Sequence, residues 1–147
     1  MECRCNSLEE LTAFSARFAA LLWPGDVILL DGDLGAGKTA FVREICRALG
    51  FEDASSPTFS IVQHYPTVPP VYHLDLYRMR SENELLLLDL DRILSDETAV
   101  FFIEWAERLG RLVPDSYLKI TVTVDSDESR IFSFEKKGDR FNDRFNF

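Results

Sequence analysis

Apolar residues recur along this chain in two periods, and the switches between them mark out its elements. Leu8, Leu11, Phe14, Phe18 and Leu21/Leu22 follow one another at helical spacing, as on a helix that packs one face against a sheet. Ser7 precedes them with Glu10 three residues on, a capping box that fixes the start. The spacing predicts a helix over 8–22, broken at Trp23-Pro24-Gly25-Asp26. Val27-Ile28-Leu29-Leu30 is then a continuous apolar run, the pattern of a strand buried on both faces. After a glycine-rich loop, a second helix is predicted from Lys38 to Leu49, closed by Gly50.

The second half is read the same way. Residues 52–58 are loop by composition. Strands are predicted near Phe59–Tyr65 and Val71–Leu76, and a helix over 81–94. Ala99–Ile103 is a second buried strand, and it ends on Glu104. Tyr117–Val124 and Arg130–Glu135 alternate as a hairpin around Asp125–Ser129. Cys3 and Cys5 sit in a short edge-strand segment. Residues 138–147, which repeat Arg-Phe-Asn, read as a tail beyond a domain of residues 1–137.

Composition narrows the class. The 147 residues suit a single domain, and 46% hydrophobic content is enough to build a core. No apolar run approaches the ~20 residues that cross a bilayer. Met1-Glu2-Cys3-Arg4-Cys5 carries no apolar signal core, and three cysteines is an odd count. A cytoplasmic protein with reduced thiols and no structural metal is therefore expected. Acidic residues outnumber basic ones 25 to 16, for a net charge of −9. That balance argues against autonomous nucleic-acid binding, which shows as a basic face. Residues 136–147 hold four basic and two acidic groups, leaving −11 on residues 1–135.

The most specific chemistry lies at Gly32-Asp33-Leu34-Gly35-Ala36-Gly37-Lys38-Thr39, which matches G-x-x-x-x-G-K-[ST] between a buried strand and a helix. Glycines let successive N–H groups turn inward onto phosphate oxygens. The helix that follows adds unpaired N–H groups and the positive end of its dipole. Lys38 can place a charge on the β- and γ-phosphates, and the Thr39 hydroxyl can ligate Mg²⁺. The alternative is a glycine turn of purely structural use. The loop does not fit the dinucleotide pattern G-x-G-x-x-G.

Such a site needs a carboxylate for the metal, typically at a strand end. Glu104 closes an apolar run and is the first candidate; the alternative is a solvated strand-end acid. Asp75, in His73-Leu74-Asp75-Leu76-Tyr77-Arg78, is the second, with a helix N-cap as its alternative. Ser55-Ser56-Pro57-Thr58 stands where nucleotide-sensing segments often lie, or is a capped Ser-Pro turn. Arg43 and Arg78 are candidate phosphate cations, against ordinary surface arginines. His73 reads as a strand residue rather than a base. Leu85–Leu88 puts four leucines in one predicted helix, more than one face can bury, so core packing and an interaction patch both remain open.

Four motifs in this order and spacing, G-D-L-G-A-G-K-T at 32–39, S-P-T-F at 56–59, H-L-D-L-Y-R at 73–78 and I-E-W-A-E at 103–107, resemble the TsaE family of bacterial P-loop ATPases. The resemblance covers about residues 7–135. It implies a single-domain, three-layer α/β fold of the P-loop NTPase type, with a mixed central sheet and a C-terminal β-hairpin. It implies ATP and Mg²⁺ as cofactors, with Lys38, Asp75 and Glu104 catalytic and Thr39, Glu104 and Asp75 at the metal. Gly32, Leu34, Gly35, Ala36, Gly37, Lys38, Thr39, Thr58 and Trp105 would line the nucleotide. It also implies two partners, TsaD and TsaB, whose complex makes threonylcarbamoyladenosine beside the tRNA anticodon, with tRNA met only through that complex. The ATPase would reset the complex between turnovers, with weak hydrolysis when alone. Ala106 stands where family members often have proline, and nothing is carried over to the Arg-Phe-Asn segment. Two other functions remain: a small-molecule kinase, against which the stretch 79–112 lacks an arginine-rich lid, and a nucleotide-dependent binding module without turnover.

Overall fold

In a computed structural model, which describes residues 1–52 and 61–147, seven strands form one sheet. In chain order the elements are β1 (Glu2–Cys5), α1 (Leu8–Ala20), β2 (Val27–Asp31), α2 (Lys38–Ala48), β3 (Val62–Tyr65), β4 (Val71–Asp75), α3 (Glu82–Leu87), α4 (Leu90–Leu94), β5 (Val100–Glu104), a 3-10 segment (Ala106–Leu112), β6 (Tyr117–Val124) and β7 (Arg130–Lys137). The strand order is β1-β7-β6-β2-β5-β4-β3. β4, β5, β2 and β6 run parallel, while β1, β7 and β3 pair antiparallel at the flanks. The sheet is mixed, as expected, and the 117–137 hairpin forms.

Alternation along β2 explains the layering. Ile28 and Leu30 join a core with Phe14, Phe18, Phe41 and Ile45 of α1 and α2. Val27 and Leu29 join a second core with Leu85, Leu90 and Leu109 on the other face. Both faces of the central strand are thus covered, which its unbroken apolar run requires. The capping box of α1 forms in shifted register. Ser7 Oγ accepts from the Glu10 N–H at 3.1 Å, while the Glu10 carboxylate accepts from the Asn6 N–H at 2.6 Å.

Two expectations change. The helix expected over 81–94 is two short helices, with Asp89 between them in the left-handed region at φ 56°. Leu85 and Leu90 are both fully buried, yet five residues of continuous helix would set them about 140° apart. The break re-aims Leu90 into the core. Leu86, Leu87 and Leu88 stay exposed, so one leucine of that run of four serves the core.

The segment expected as a tail is built into the core. Phe141 and Phe145 are buried against α1, Phe18 lying 4.6 Å from Phe145 between ring centroids. Arg144 meets Asp26 through two bonds of 2.7 and 2.8 Å, and Arg140 Nε donates to the same carboxylate at 2.7 Å. Arg144 also stacks 3.7 Å over Trp23. The Arg-Phe-Asn repeat therefore closes over the turn that ends α1. Asp26 is fully buried, and such a charge is tolerated only when paired and hydrogen-bonded.

Candidate functional site

The glycine loop 32–37 leaves β2 and enters α2 at the carboxyl edge of the parallel strands. Gly32 has φ 144°, and a Cβ there would come within 2.5 Å of the Val122 carbonyl of β6. Both the angle and the close approach require glycine. Gly35 (φ 82°) and Gly37 (φ 113°) are also left-handed. Ala36 is buried beneath the loop, whereas Leu34 at its tip is fully exposed. Lys38 and Thr39 are half-buried on the first turn of α2.

Strand register brings the carboxylates to this edge. Asp75 and Glu104 are directly paired residues of neighbouring parallel strands β4 and β5. Lys38 Nζ lies 3.3 Å from Glu104 Oε1 and donates to the Gly32 carbonyl at 2.6 Å. His73, two residues before Asp75 and fully buried, places Nε2 2.7 Å from Glu104 Oε2. Burial opposes ionisation of Glu104. The His73 hydrogen bond and the Lys38 ammonium outweigh it and hold the carboxyl below its ordinary range. Asp75 Oδ1 accepts from the Tyr77 N–H at 3.1 Å. It therefore closes a turn, and the N-cap of the next helix is Ser81 instead.

Trp105 follows Glu104 in a left-handed conformation, φ 59°, and packs on Tyr77 at 5.0 Å between centroids. This contact joins the loops that follow β4 and β5. Arg108 stacks 5.7 Å from Trp105 and donates to the Met79 carbonyl. Of the other candidate cations, Arg43 and Arg78 are exposed. Thr58 and its neighbours Ser55 and Ser56 lie outside the described residues. Two groups at the site are not among the site residues expected from the sequence. His73 begins the motif at 73–78 but reads there as a strand residue. Arg130, at the start of β7, lies beside the loop, its Nε 3.5 Å from where a Gly37 Cβ would stand. Only the strand order could have revealed it.

Among the described residues, no three His, Cys, Asp or Glu side chains converge to hold a metal by themselves. The hard oxygen donors of Thr39, Asp75 and Glu104 instead suit a Mg²⁺ that takes one or two carboxylates and completes its shell with phosphate oxygens and water. The cysteines are separate from this edge. All three are free, and burial pushes the Cys5 and Cys46 thiols up to about 12. Among the described residues, no helix is long and apolar enough to cross a membrane.

A single mixed sheet carrying a strand–glycine loop–helix unit, with acidic residues ending the adjacent strands, defines a class of α/β proteins. Within that class, the chain belongs to the TsaE family. The model of "Threonylcarbamoyl adenosine biosynthesis protein TsaE" matches residues 5–132. A tRNA threonylcarbamoyladenosine biosynthesis protein TsaE from Rickettsia bellii is 40% identical over 86% of this chain and 88% of its own length. The protein of that name from Bacillus subtilis is 38% identical over 90% of this chain and 84% of its own. A crystal structure of Bacillus subtilis YdiB superposes with a TM-score of 0.76 at 32% identity, covering 97% of this chain and 88% of that one. The family takes part in tRNA threonylcarbamoyladenosine biosynthesis.

Proposed function

We propose that this chain is a Mg²⁺-dependent ATPase of the cytoplasm that acts with the TsaD–TsaB complex in tRNA threonylcarbamoyladenosine formation, permitting repeated turnovers. The observation that carries the reading is the convergence of Lys38, Glu104 and the glycine loop at one sheet edge, with Lys38 Nζ 3.3 Å from Glu104 Oε1. The loop N–H groups and the start of α2 would bind the phosphates, and Lys38 would turn from Glu104 to the β- and γ-phosphates. Thr39, Glu104 and Asp75 would hold the cation, which when bound offsets charge on the transferring phosphoryl group. Asp75, tied down by the Tyr77 N–H, would orient cation or water. Leu34, exposed at the loop tip, and Trp105, next to Glu104, would line the nucleotide. Catalysis of this kind is positional and electrostatic.

Slow hydrolysis in isolation and stimulation by TsaD–TsaB are expected. The test is phosphate release by wild type and Glu104→Ala, each with and without TsaD–TsaB. Stimulation that disappears in the variant supports the proposal. A Lys38→Ala protein that hydrolyses ATP and supports the modification at wild-type rates overturns it. Phosphate found on an added metabolite would instead make the chain a kinase.

A further inference from the structure

The chemistry above leaves His73 without a role, although among the described residues it is the most deeply buried polar group at the site. Its ring is fully buried on β4, and Nε2 stands 2.7 Å from Glu104 Oε2. Lys38 Nζ stands 3.3 Å from the other oxygen, Oε1. Two residues thus divide one carboxylate between them. A carboxylate only accepts, so Nε2 carries the hydrogen. Among the described residues His73 Nδ1 has no partner, and the ring is held to the site through Nε2.

We infer that His73 is the positioning residue for Glu104: its Nε2–H fixes Oε2, so that Oε1 stays aimed at the glycine loop once Lys38 leaves it for a phosphate. The inference rests on the ATPase reading and deepens it. Lys38 cannot hold Glu104 throughout, because it is the group a phosphate draws away, and it already donates to the Gly32 carbonyl at 2.6 Å. His73 can. It is enclosed on an interior strand, in register between Gln63 of β3 and Phe102 of β5, and its short side chain has two torsions to fix. Among the described residues Asp75 has no such partner ring; a turn N–H holds one of its oxygens. Outer partners of this kind orient a metal-binding carboxylate, and their loss typically weakens metal affinity or activity by about 10–100-fold.

The experiment compares the full-length wild type with His73→Leu, which fills the slot without a donor, and His73→Gln, which restores an N–H. Each is saturated with a non-hydrolysable ATP analogue and titrated with Mg²⁺ in a calorimeter; melting temperatures are recorded alongside. Expected is a Mg²⁺ affinity about 10–100-fold lower in His73→Leu, unchanged affinity for the metal-free analogue, and recovery of most of the loss in His73→Gln. Wild-type Mg²⁺ affinity in His73→Leu overturns the inference and leaves the ATPase reading standing. Equal loss in both variants, with equally lowered melting temperatures, also overturns it, since packing would then be the cause. A wild type that binds no analogue overturns the ATPase reading, and the inference with it. Should the variants not fold, the ¹⁵N shifts of the wild-type imidazole decide: a hydrogen on Nε2 supports the assignment, and a ring without a hydrogen on Nε2 overturns it.

Discussion

Glu104 keeps its charge although burial opposes it. Desolvation pushes its carboxyl up, and the His73 hydrogen bond together with the Lys38 ammonium pushes it further down, below the ordinary 4.5. A carboxyl depressed by folding stabilises the native state above its unfolded pKa, and that contribution is lost as the pH falls through the folded value. Wild type should therefore lose an increment of stability below pH 4.5 that Glu104→Gln does not have. Melting temperatures of the two proteins between pH 7 and 3 check this. A difference between them that does not change with pH would refute it. The same balance bears on function: a carboxylate that stays ionised while buried is ready to meet a cation without first losing a proton.

At the scale of the element, the C-terminal segment is the clearest case of structure outweighing local pattern. Phe141 and Phe145 are fully buried, and Arg144 pairs with a fully buried Asp26. Phe145→Ala should cost about 3–5 kcal/mol, the range for a large side chain cut from a core. Arg144→Ala should cost up to about 3–5 kcal/mol, because Asp26 would lose its buried cation and be left with the half-exposed Arg140 and the Trp23 N–H. Urea unfolding measures both. Limited proteolysis gives a second check on the unaltered chain, in which residues 138–147 should resist cleavage until the whole chain unfolds. The split of the expected 81–94 helix follows the same logic. Helical spacing was legible in the leucines, but the left-handed turn at Asp89 answers to where the core lies, not to the local run.

For the whole molecule, charge and topology act together. The net charge is −9, and the basic residues of the C-terminal segment do not form a free cationic arm. Arg140 and Arg144 are committed to Asp26, and Lys136 donates to Asn146 at 2.7 Å. Under the proposed function, an acidic body of this kind would meet a basic face of the partner complex, in competition with tRNA. On the same reading, association with TsaD–TsaB should weaken as NaCl is raised from about 50 to about 500 mM, most of the change falling in the association rate. Undiminished tRNA binding by the complex with this chain docked would refute the competition. The carboxyl edge of the sheet gathers the remaining features, since Leu34, Asp75, Trp105 and Arg130 reach it from four separate stretches of chain.

Short-range pattern was enough to read the element types, the capping box, the glycine loop and an acid at the end of a buried strand. Each of these depends on residues within a few positions of one another, where periodicity and backbone sterics act. Which groups face each other was decided only when the sheet assembled. Parallel pairing of β4 with β5 set Asp75 beside Glu104 and brought His73 diagonally onto its carboxylate. The β6–β7 hairpin carried Arg130 to the loop. Burial of Asp26 demanded two arginines from the far end of the chain. No local sequence rule encodes such partners, because the free energy that selects them comes from desolvating both groups in one place.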